Sequence, residues 1–167
     1  MKKVFIIHGT WSNSEDFWFP YIKNNLSSEE FHVTIPNLPN ADNPELEEYL
    51  KFLNQYNFDE ETIMVGHSSG CPIILSILER RKILVARTIF VAWFSRPLWW
   101  EANPILQESY KWEIIQKNCR NFQKSIYFLL FICSTIKLSF DVHGFSNNVP
   151  PGNFVTKCHL TMNSRLK

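Results

Sequence analysis

The sequence lacks the features that mark several large classes of protein. Its formal net charge is only +1 over 167 residues, with no polybasic block, so charge favours neither nucleic acid nor a membrane surface as a partner. Its longest apolar run, Ile126 to Cys133, falls far short of the ~20 residues of a membrane helix. The apolar run that follows Lys3 is too short for the core of a signal peptide. No internal repeat or low-complexity tract is present.

Cysteine pairs are also missing. The four cysteines are scattered without a CxxC pair, at Cys71, Cys119, Cys133 and Cys158. We therefore expect reduced thiols in a cytoplasmic protein, and neither a disulfide framework nor a zinc site. No metal or other cofactor is expected.

What is present is an alternation of strand and helix patterns. Predicted strands cover Lys3 to Ile7, Phe31 to Ile35, Thr62 to Val65, Arg87 to Ala92 and Ile126 to Cys133. Predicted helices run from Ser14 to Asn25, from Pro44 through Leu53, from Ser69 to Glu79, and over part of Leu106 to Asn118, where Trp112, Ile114 and Ile115 form the apolar face. This order predicts an α/β fold: a small doubly wound, mostly parallel sheet between two helical layers. With 45% apolar residues, the length suits a single domain over 1–167.

The most informative segment is Gly66-His67-Ser68-Ser69-Gly70, which follows the apolar run Ile63 to Val65. A Gly-x-Ser-x-Gly turn between a strand and a helix is typical of a nucleophile elbow, where a strained turn presents the serine oxygen. The glycines remove Cβ atoms where strand and helix approach closely. The alternative interpretation is a glycine-flanked helix cap, because serine caps helices well.

A serine nucleophile needs a base and an acid that orients it. In doubly wound hydrolases the acid follows the serine in the chain, and the histidine comes last. Chain order therefore predicts Ser68, Asp141 and His159 as the catalytic residues. A solvated loop aspartate and a surface histidine are the competing interpretations of the last two. We expect His67 to pack beside the turn and not to act as the base.

An oxyanion site needs two hydrogen-bond donors. The residue after the nucleophile, Ser69, supplies one backbone N–H in this motif, and a loop after an earlier strand supplies the other. The segment His8 to Trp11 follows the first strand, so the second donor is predicted at Thr10 or Trp11. A simple strand-to-helix turn is the alternative.

Aromatic residues are concentrated between Trp93 and Trp100. Together with Trp18, they are candidates for the wall of an acyl pocket, because small-molecule sites are mostly apolar. Ordinary core packing is the alternative for each of them. The expected partner is a small acyl substrate.

Several motifs in this order resemble the YdeN-like serine hydrolases, also called the retinoblastoma-binding-protein type. The resemblance spans about residues 2 to 133. It is carried by Lys3-Val4-Phe5-Ile6-Ile7-His8-Gly9, Trp18-Phe19-Pro20, Pro36-Asn37-Leu38-Pro39, Asn43-Pro44, Val65-Gly66-His67-Ser68-Ser69-Gly70-Cys71, Asn103-Pro104 and Trp112-Glu113-Ile114-Ile115. It implies a small α/β-hydrolase domain that needs no cofactor and hydrolyses small esters or related acyl bonds with a Ser-Asp-His triad.

The segment 134–167 departs from that family. Where members carry the triad aspartate after the fifth strand, this chain has Ser134 to Leu138, without a carboxylate. His143 resembles a non-catalytic family histidine, and Lys157 to Leu160 is a remnant of the turn that holds the base. The abrupt change near Phe131 suggests a frameshift or a degraded gene end, and we expect an incomplete C-terminal part of the fold.

That departure leaves a second hypothesis open. The chain would then be an inactive relative that serves as a binding or interaction protein, or a truncated product. A nucleotide-binding domain is disfavoured, because the loop after the first strand lacks both GxGxxG and the Walker pattern.

Overall fold

The computed structural model describes residues 1–93, 95, 103–121 and 126–127. These lie within one compact unit, Met1–Phe131. The strands are β1 (Lys2–Ile7), β2 (Phe31–Thr34), β3 (Thr62–His67), β4 (Val85–Val91), β5 (Cys119–Asn121) and β6 (Ile126–Tyr127). The helices are α1 (Phe19–Leu26), α2 (Leu46–Phe52), α3 (Gly70–Arg80) and α4 (Trp112–Lys117), with short 3-10 turns at Leu53–Gln55 and Asn103–Ile105.

All described strand pairs are parallel, in the order β2-β1-β3-β4-β5, and β6 also pairs with β4. Val85 pairs with Cys119, whereas Phe90 pairs with Ile126, so the register along β4 shifts by two residues between β5 and β6. The chain leaves β1 toward β2 on one side and later returns to add β3 on the other. The order of the strands therefore reverses between β1 and β3.

Both faces of the sheet are covered by helices. In β1, Val4 and Ile6 belong to the apolar cluster under α1, whereas Phe5 and Ile7 belong to the cluster formed with α2, α3 and α4. Alternate residues of a strand point to opposite faces, so a continuous apolar strand suits a sheet buried on both sides. The predicted doubly wound α/β architecture is confirmed.

The first helix begins later than the sequence predicted. It starts at Phe19 and not at Ser14, because Phe17 has a φ of +55°, a left-handed conformation that a helix cannot include. The carboxylate of Asp16 accepts from the Asn13 backbone N–H, which closes a turn before the helix. Pro20 stands in the first turn of α1, where proline needs no N–H partner.

Other boundaries also differ. Helix α2 begins at Leu46, because Glu45 is extended and Pro44 precedes it. Helix α4 buries Ile115 but leaves Ile114 40% exposed, so Ile114 is not part of the apolar face.

The short strand β5 was not predicted. Of the predicted strand Ile126 to Cys133, the first two residues form β6 and the rest lies outside the described residues.

Two further predictions can be compared with the described part of the chain. Cys71 and Cys119 are free and buried there, as expected, while Cys133 and Cys158 lie outside it. No helix in that part is long and apolar enough to cross a membrane. The prediction of a single domain over 1–167 stays a prediction.

Candidate active site

The site lies at the carboxyl ends of β1 and β3, where the strand order reverses. In open parallel sheets, ligands bind in the crevice at such a switch point. The segment His8 to Trp11 leaves β1 at this edge, and Ser68 follows β3 directly. Two segments that are distant in sequence therefore meet beside one serine side chain.

Ser68 forms the turn between β3 and α3. Its φ is +52°, a left-handed conformation that serine rarely adopts. Two backbone hydrogen bonds hold the turn: the Ser68 N–H donates to the carbonyl oxygen of Val91, at the end of β4, at 2.9 Å, and the Cys71 N–H donates to the Ser68 carbonyl oxygen at 3.0 Å. The Ser68 side chain is half-buried and its Oγ has no hydrogen-bond partner among the described residues. The structure thus places a strained, accessible hydroxyl at the switch point.

Glycines make this turn sterically possible. A Cβ at Gly70 would lie 2.0 Å from the Ile7 carbonyl oxygen, and one at Gly66 would lie 2.9 Å from the Cys71 backbone. A Cβ at Gly9 would lie 3.0 Å from the Ser68 Cβ and 3.6 Å from its Oγ. Each glycine therefore lets one chain segment approach another, and Gly9 brings the loop after β1 against Ser68.

The loop after β1 is tied to the residue that follows Ser68. The Thr10 backbone N–H donates to Ser69 Oγ at 2.6 Å, and the Thr10 Oγ1 and Ser69 Oγ hydroxyls are 2.8 Å apart. Ser69 is only 2% exposed, and its own backbone N–H has no acceptor among the described residues. The Ser69 N–H therefore remains available beside Ser68.

Trp11, the other predicted donor, is bonded elsewhere. Its backbone N–H donates to the Ala41 carbonyl oxygen at 2.7 Å. Its φ is +55° and its side chain is 63% exposed. Of the two candidates, only Thr10 is bonded to a neighbour of Ser68.

His67 packs beside the turn, as predicted. Its ring lies 5.1 Å from that of Phe17, 5.6 Å from that of Phe19 and 6.2 Å from that of Trp18. The His67 Nδ1 and Trp18 Nε1 atoms are buried and have no hydrogen-bond partner in the part of the chain that the structure describes. Trp18 therefore contacts the residue before Ser68, which is where a wall of the predicted acyl pocket would lie.

His8 has a structural role that the sequence did not reveal. It is fully buried, and its Nε2 accepts from the Leu38 backbone N–H at 3.0 Å, which places the ring proton on Nδ1. That Nδ1–H donates to the Gly9 carbonyl oxygen at 2.8 Å. Both ring nitrogens are thus occupied, and the ring joins the loop after β1 to the loop after β2. The family motif that contains Leu38 was the only signal in the sequence for this contact.

Burial lowers the pKa of His8 below the ordinary 6.5. The pKa of His67 is also lowered, first by burial and then by the charge of His8. Unfolding therefore takes up protons as the pH falls below about 6.5, and the free energy of unfolding decreases toward acid. We expect the urea midpoint to drop between pH 7.5 and pH 5.

Substitutions test whether His67 contributes to this loss of stability in acid. His67→Phe removes one of the two groups while preserving the aromatic contacts, so its urea midpoint should depend less on pH than that of the unmodified protein. Asn24→Ala, at an exposed position on α1, removes no titratable group and is the control that should keep the full dependence. Equal slopes for both variants would show that His67 does not titrate with a lowered pKa.

The remaining predicted site residues lie outside the described part of the chain. These are Asp141 and His159, together with His143 and most of the aromatic cluster after Trp93. Within the described ranges, no group of three or more His, Cys, Asp or Glu residues could hold a metal ion. Those ranges therefore contain the serine and its backbone surroundings, but no imidazole bonded to Ser68.

Known proteins place this geometry in context. The chain is 38% identical over 101 residues to the putative hydrolase YdeN of Bacillus subtilis (strain 168), across 58% of this chain and 53% of that protein. The chain thus spans about half the length of this curated relative.

The solved structure of the same relative also matches. The crystal structure of the ydeN gene product from B. subtilis matches with a TM-score of 0.65 and 33% identity, over 71% of this chain and 67% of that one. An extracellular α/β-hydrolase from a Paenibacillus species matches with a TM-score of 0.48 and 20% identity, over 59% and 43% of the two chains. The model of the family described as serine hydrolase matches residues 4–126, which include both β1 and the turn at Ser68. The chain therefore belongs to the YdeN-like serine hydrolases.

Proposed function

We propose that the chain is a serine hydrolase that cleaves small esters or other acyl bonds, with Ser68 as the nucleophile. The observation that carries this proposal is the left-handed backbone of Ser68, a half-exposed residue that follows β3 where the strand order reverses between β1 and β3. A bulky or polar residue persists in this conformation only when its surroundings hold it there, and such strain is concentrated at functional sites. The family of the chain supports the same reaction class.

In the proposed reaction, Ser68 Oγ attacks the carbonyl carbon of the substrate, and the carbonyl electron pair moves to oxygen. The proton of the Ser68 hydroxyl passes to an imidazole, the role we propose for His159 with Asp141 as its orienting acid. Hydrogen-bond donors at and beside Ser69 stabilise the oxyanion until it collapses; the imidazolium then returns the proton to the leaving oxygen, which departs as the alcohol. Water then releases the acyl group from Ser68 by the same steps. We place this activity in the cytoplasm.

A second candidate function is that of an inactive relative that binds other molecules. It is favoured by the segment Ser134 to Leu138, which has no carboxylate where the family carries its acid. Such a chain would keep the accessible Ser68 hydroxyl but lack the base that activates it. The two candidates differ in the reactivity of a single oxygen atom.

A fluorophosphonate probe tests the proposal, because it reacts with activated serine hydroxyls and forms a stable covalent bond. We expect the folded protein to be modified at Ser68, as located by mass spectrometry of the tryptic peptides. Folded protein that stays unmodified would favour the inactive relative.

Gly9 provides a further test of the same site. The Cβ of Gly9→Ala would meet Ser68 Cβ at 3.0 Å, and relieving this contact requires the turn at Ser68 to shift by a few tenths of an ångström. We expect modification to slow by about tenfold, because small displacements of reacting groups are costly. The thermal midpoint should stay within about 4 °C, the shift expected for roughly 1 kcal/mol. An unchanged rate in the folded variant would show that Ser68 does not react on the side that faces Gly9.

A further inference from the structure

We propose that the side-chain hydroxyl of Thr10, and not its backbone N–H, is the second donor of the oxyanion site. This inference rests on the proposed function and names the group that meets the substrate oxygen opposite the Ser69 N–H. It begins from an occupied donor: the Thr10 N–H already donates to Ser69 Oγ at 2.6 Å.

The acceptor of that bond lies in the protein interior. Ser69 is 2% exposed, so the Thr10 N–H is directed toward a buried oxygen and away from solvent. Turning this N–H toward a substrate would take one of its two observed hydrogen bonds from the buried Ser69 Oγ, a costly change in the protein interior. The side chain of Thr10, in contrast, is half-exposed.

Counting hydrogens identifies the free donor. The Thr10 N–H and the two hydroxyls supply three hydrogens, while the two observed bonds use only two. If Thr10 Oγ1 donated to Ser69 Oγ, the leftover hydrogen would lie on buried Ser69, which has no other acceptor among the described residues. If Ser69 Oγ donates to Thr10 Oγ1, the leftover hydrogen lies on the half-exposed Thr10 hydroxyl. The second arrangement avoids an unsatisfied buried donor and is therefore favoured.

The resulting chain of bonds runs in one direction. The Thr10 N–H donates to Ser69 Oγ, the Ser69 hydroxyl donates to Thr10 Oγ1, and the Thr10 hydroxyl is left to donate outward. Hydrogen bonds aligned in this way polarise one another, which strengthens the last donor. Ser69 thus contributes twice, with its backbone N–H as a donor and with its hydroxyl as a positioning group for Thr10.

The location of Thr10 suits this role. Gly9, the preceding residue, lies so close to Ser68 that a Cβ there would be 3.6 Å from its Oγ. Ser69, the residue bonded to Thr10, follows Ser68 directly in the chain. During attack the carbonyl carbon bonds to Ser68 Oγ and its electron pair moves to the carbonyl oxygen. The Thr10 hydroxyl shares its hydrogen with that oxygen without transferring it, so no further reactant is needed.

Thr10→Val is the decisive variant, because it preserves the side-chain shape and the backbone N–H but deletes the hydroxyl. We expect the second-order rate constant for fluorophosphonate modification at Ser68 to fall about a hundredfold, since loss of one oxyanion donor has effects of this size. Thr10→Ser restores the hydroxyl and is the matched control, with a rate close to that of the unmodified protein. Thr10→Ala is a second deletion, used if the valine variant does not fold.

Ser69→Ala further distinguishes the Thr10 hydroxyl from the Thr10 backbone N–H as the second donor. If the Thr10 hydroxyl is the donor, this variant loses the group that orients it, and the rate should fall. If the backbone N–H is the donor, the variant releases it from Ser69 Oγ, and the rate should rise. A rise would overturn the inference.

The outcomes also separate the inference from the proposed function. If the probe modifies the wild-type protein at Ser68 and folded Thr10→Val reacts at the same rate, the role of Thr10 is overturned and the nucleophile stays in place. Absence of any modification at Ser68 would overturn both. Thermal unfolding of each variant shows that the rates refer to folded protein.

Discussion

Gly70→Ala is expected to abolish the folded state, or to lower its free energy of unfolding by at least about 4 kcal/mol. A Cβ at this position would lie 2.0 Å from the Ile7 carbonyl oxygen and 2.8 Å from the carbonyl carbon. Both atoms belong to the backbone of the interior strand β1, so no side-chain rotation relieves the overlap. Helix α3 and strand β1 would have to separate, and both of them contribute heavily to the same apolar core.

The direction of the stability change in Gly70→Ala distinguishes the steric overlap from the effect of helix propensity. Alanine is a better helix former than glycine by about 1 kcal/mol, so helix propensity alone predicts a more stable protein. Urea unfolding followed by circular dichroism measures the difference. Asn24→Ala, at an exposed position of α1, is the control and should change the free energy of unfolding by less than about 0.5 kcal/mol. A stable Gly70→Ala variant would mean that α3 does not cross β1 at the distance described.

Ser68→Ala is expected to remove all modification by the fluorophosphonate probe, because the reacting oxygen is deleted. The fold should be retained, since Ser68 Oγ has no hydrogen-bond partner among the described residues. Alanine should also tolerate the turn no worse than serine, because both residues carry a Cβ in the left-handed conformation at this position. Intact mass and thermal unfolding of the same samples check both expectations.

Two further variants make the result specific. Ser27→Ala, an exposed serine after α1, should leave the extent and rate of modification unchanged. His159→Gln should slow modification by at least about a hundredfold if this residue is the base. Modification that persists in Ser68→Ala would identify another nucleophile and overturn the assignment, while an unchanged rate in His159→Gln would remove only the proposed base.

The turn at Ser68 was predictable because its requirements are local. An apolar strand, two glycines around a serine and a following helix occupy one continuous stretch, and the close contacts at Gly66 and Gly70 require residues without a Cβ. The layered α/β architecture was predictable for a related reason, since the strand patterns alternate with helical patterns along the chain.

The start of α1 was not predictable in the same way. Ser14 and the acidic residues after it look like a good helix start, but the left-handed backbone of Phe17 separates them from the helix. The Phe17 ring lies 5.1 Å from that of His67, which is distant in the sequence. Nothing in the apolar pattern or in the residue types around Ser14 signals a left-handed residue at this position.

The choice between Thr10 and Trp11 is also a matter of distant contacts. The two residues are adjacent, and nothing in the local sequence distinguishes their backbone N–H groups. The distinction comes from Ala41, which accepts from Trp11, and from Ser69, which accepts from Thr10. The fully occupied imidazole of His8 depends in the same way on Leu38.

The bond from the Ser68 amide to the Val91 carbonyl oxygen has a consequence for solvent exchange. Amide protons in turns at the ends of strands usually exchange rapidly with deuterium, whereas the Ser68 amide proton is hydrogen-bonded to the neighbouring strand β4. It exchanges only when β3 and β4 separate at their ends, an opening of the sheet and not of a loop. The partly exposed side chain of Ser68 thus belongs to a residue whose amide proton is protected. The exchange rate of that single proton therefore reports how rigidly the Ser68 hydroxyl is held.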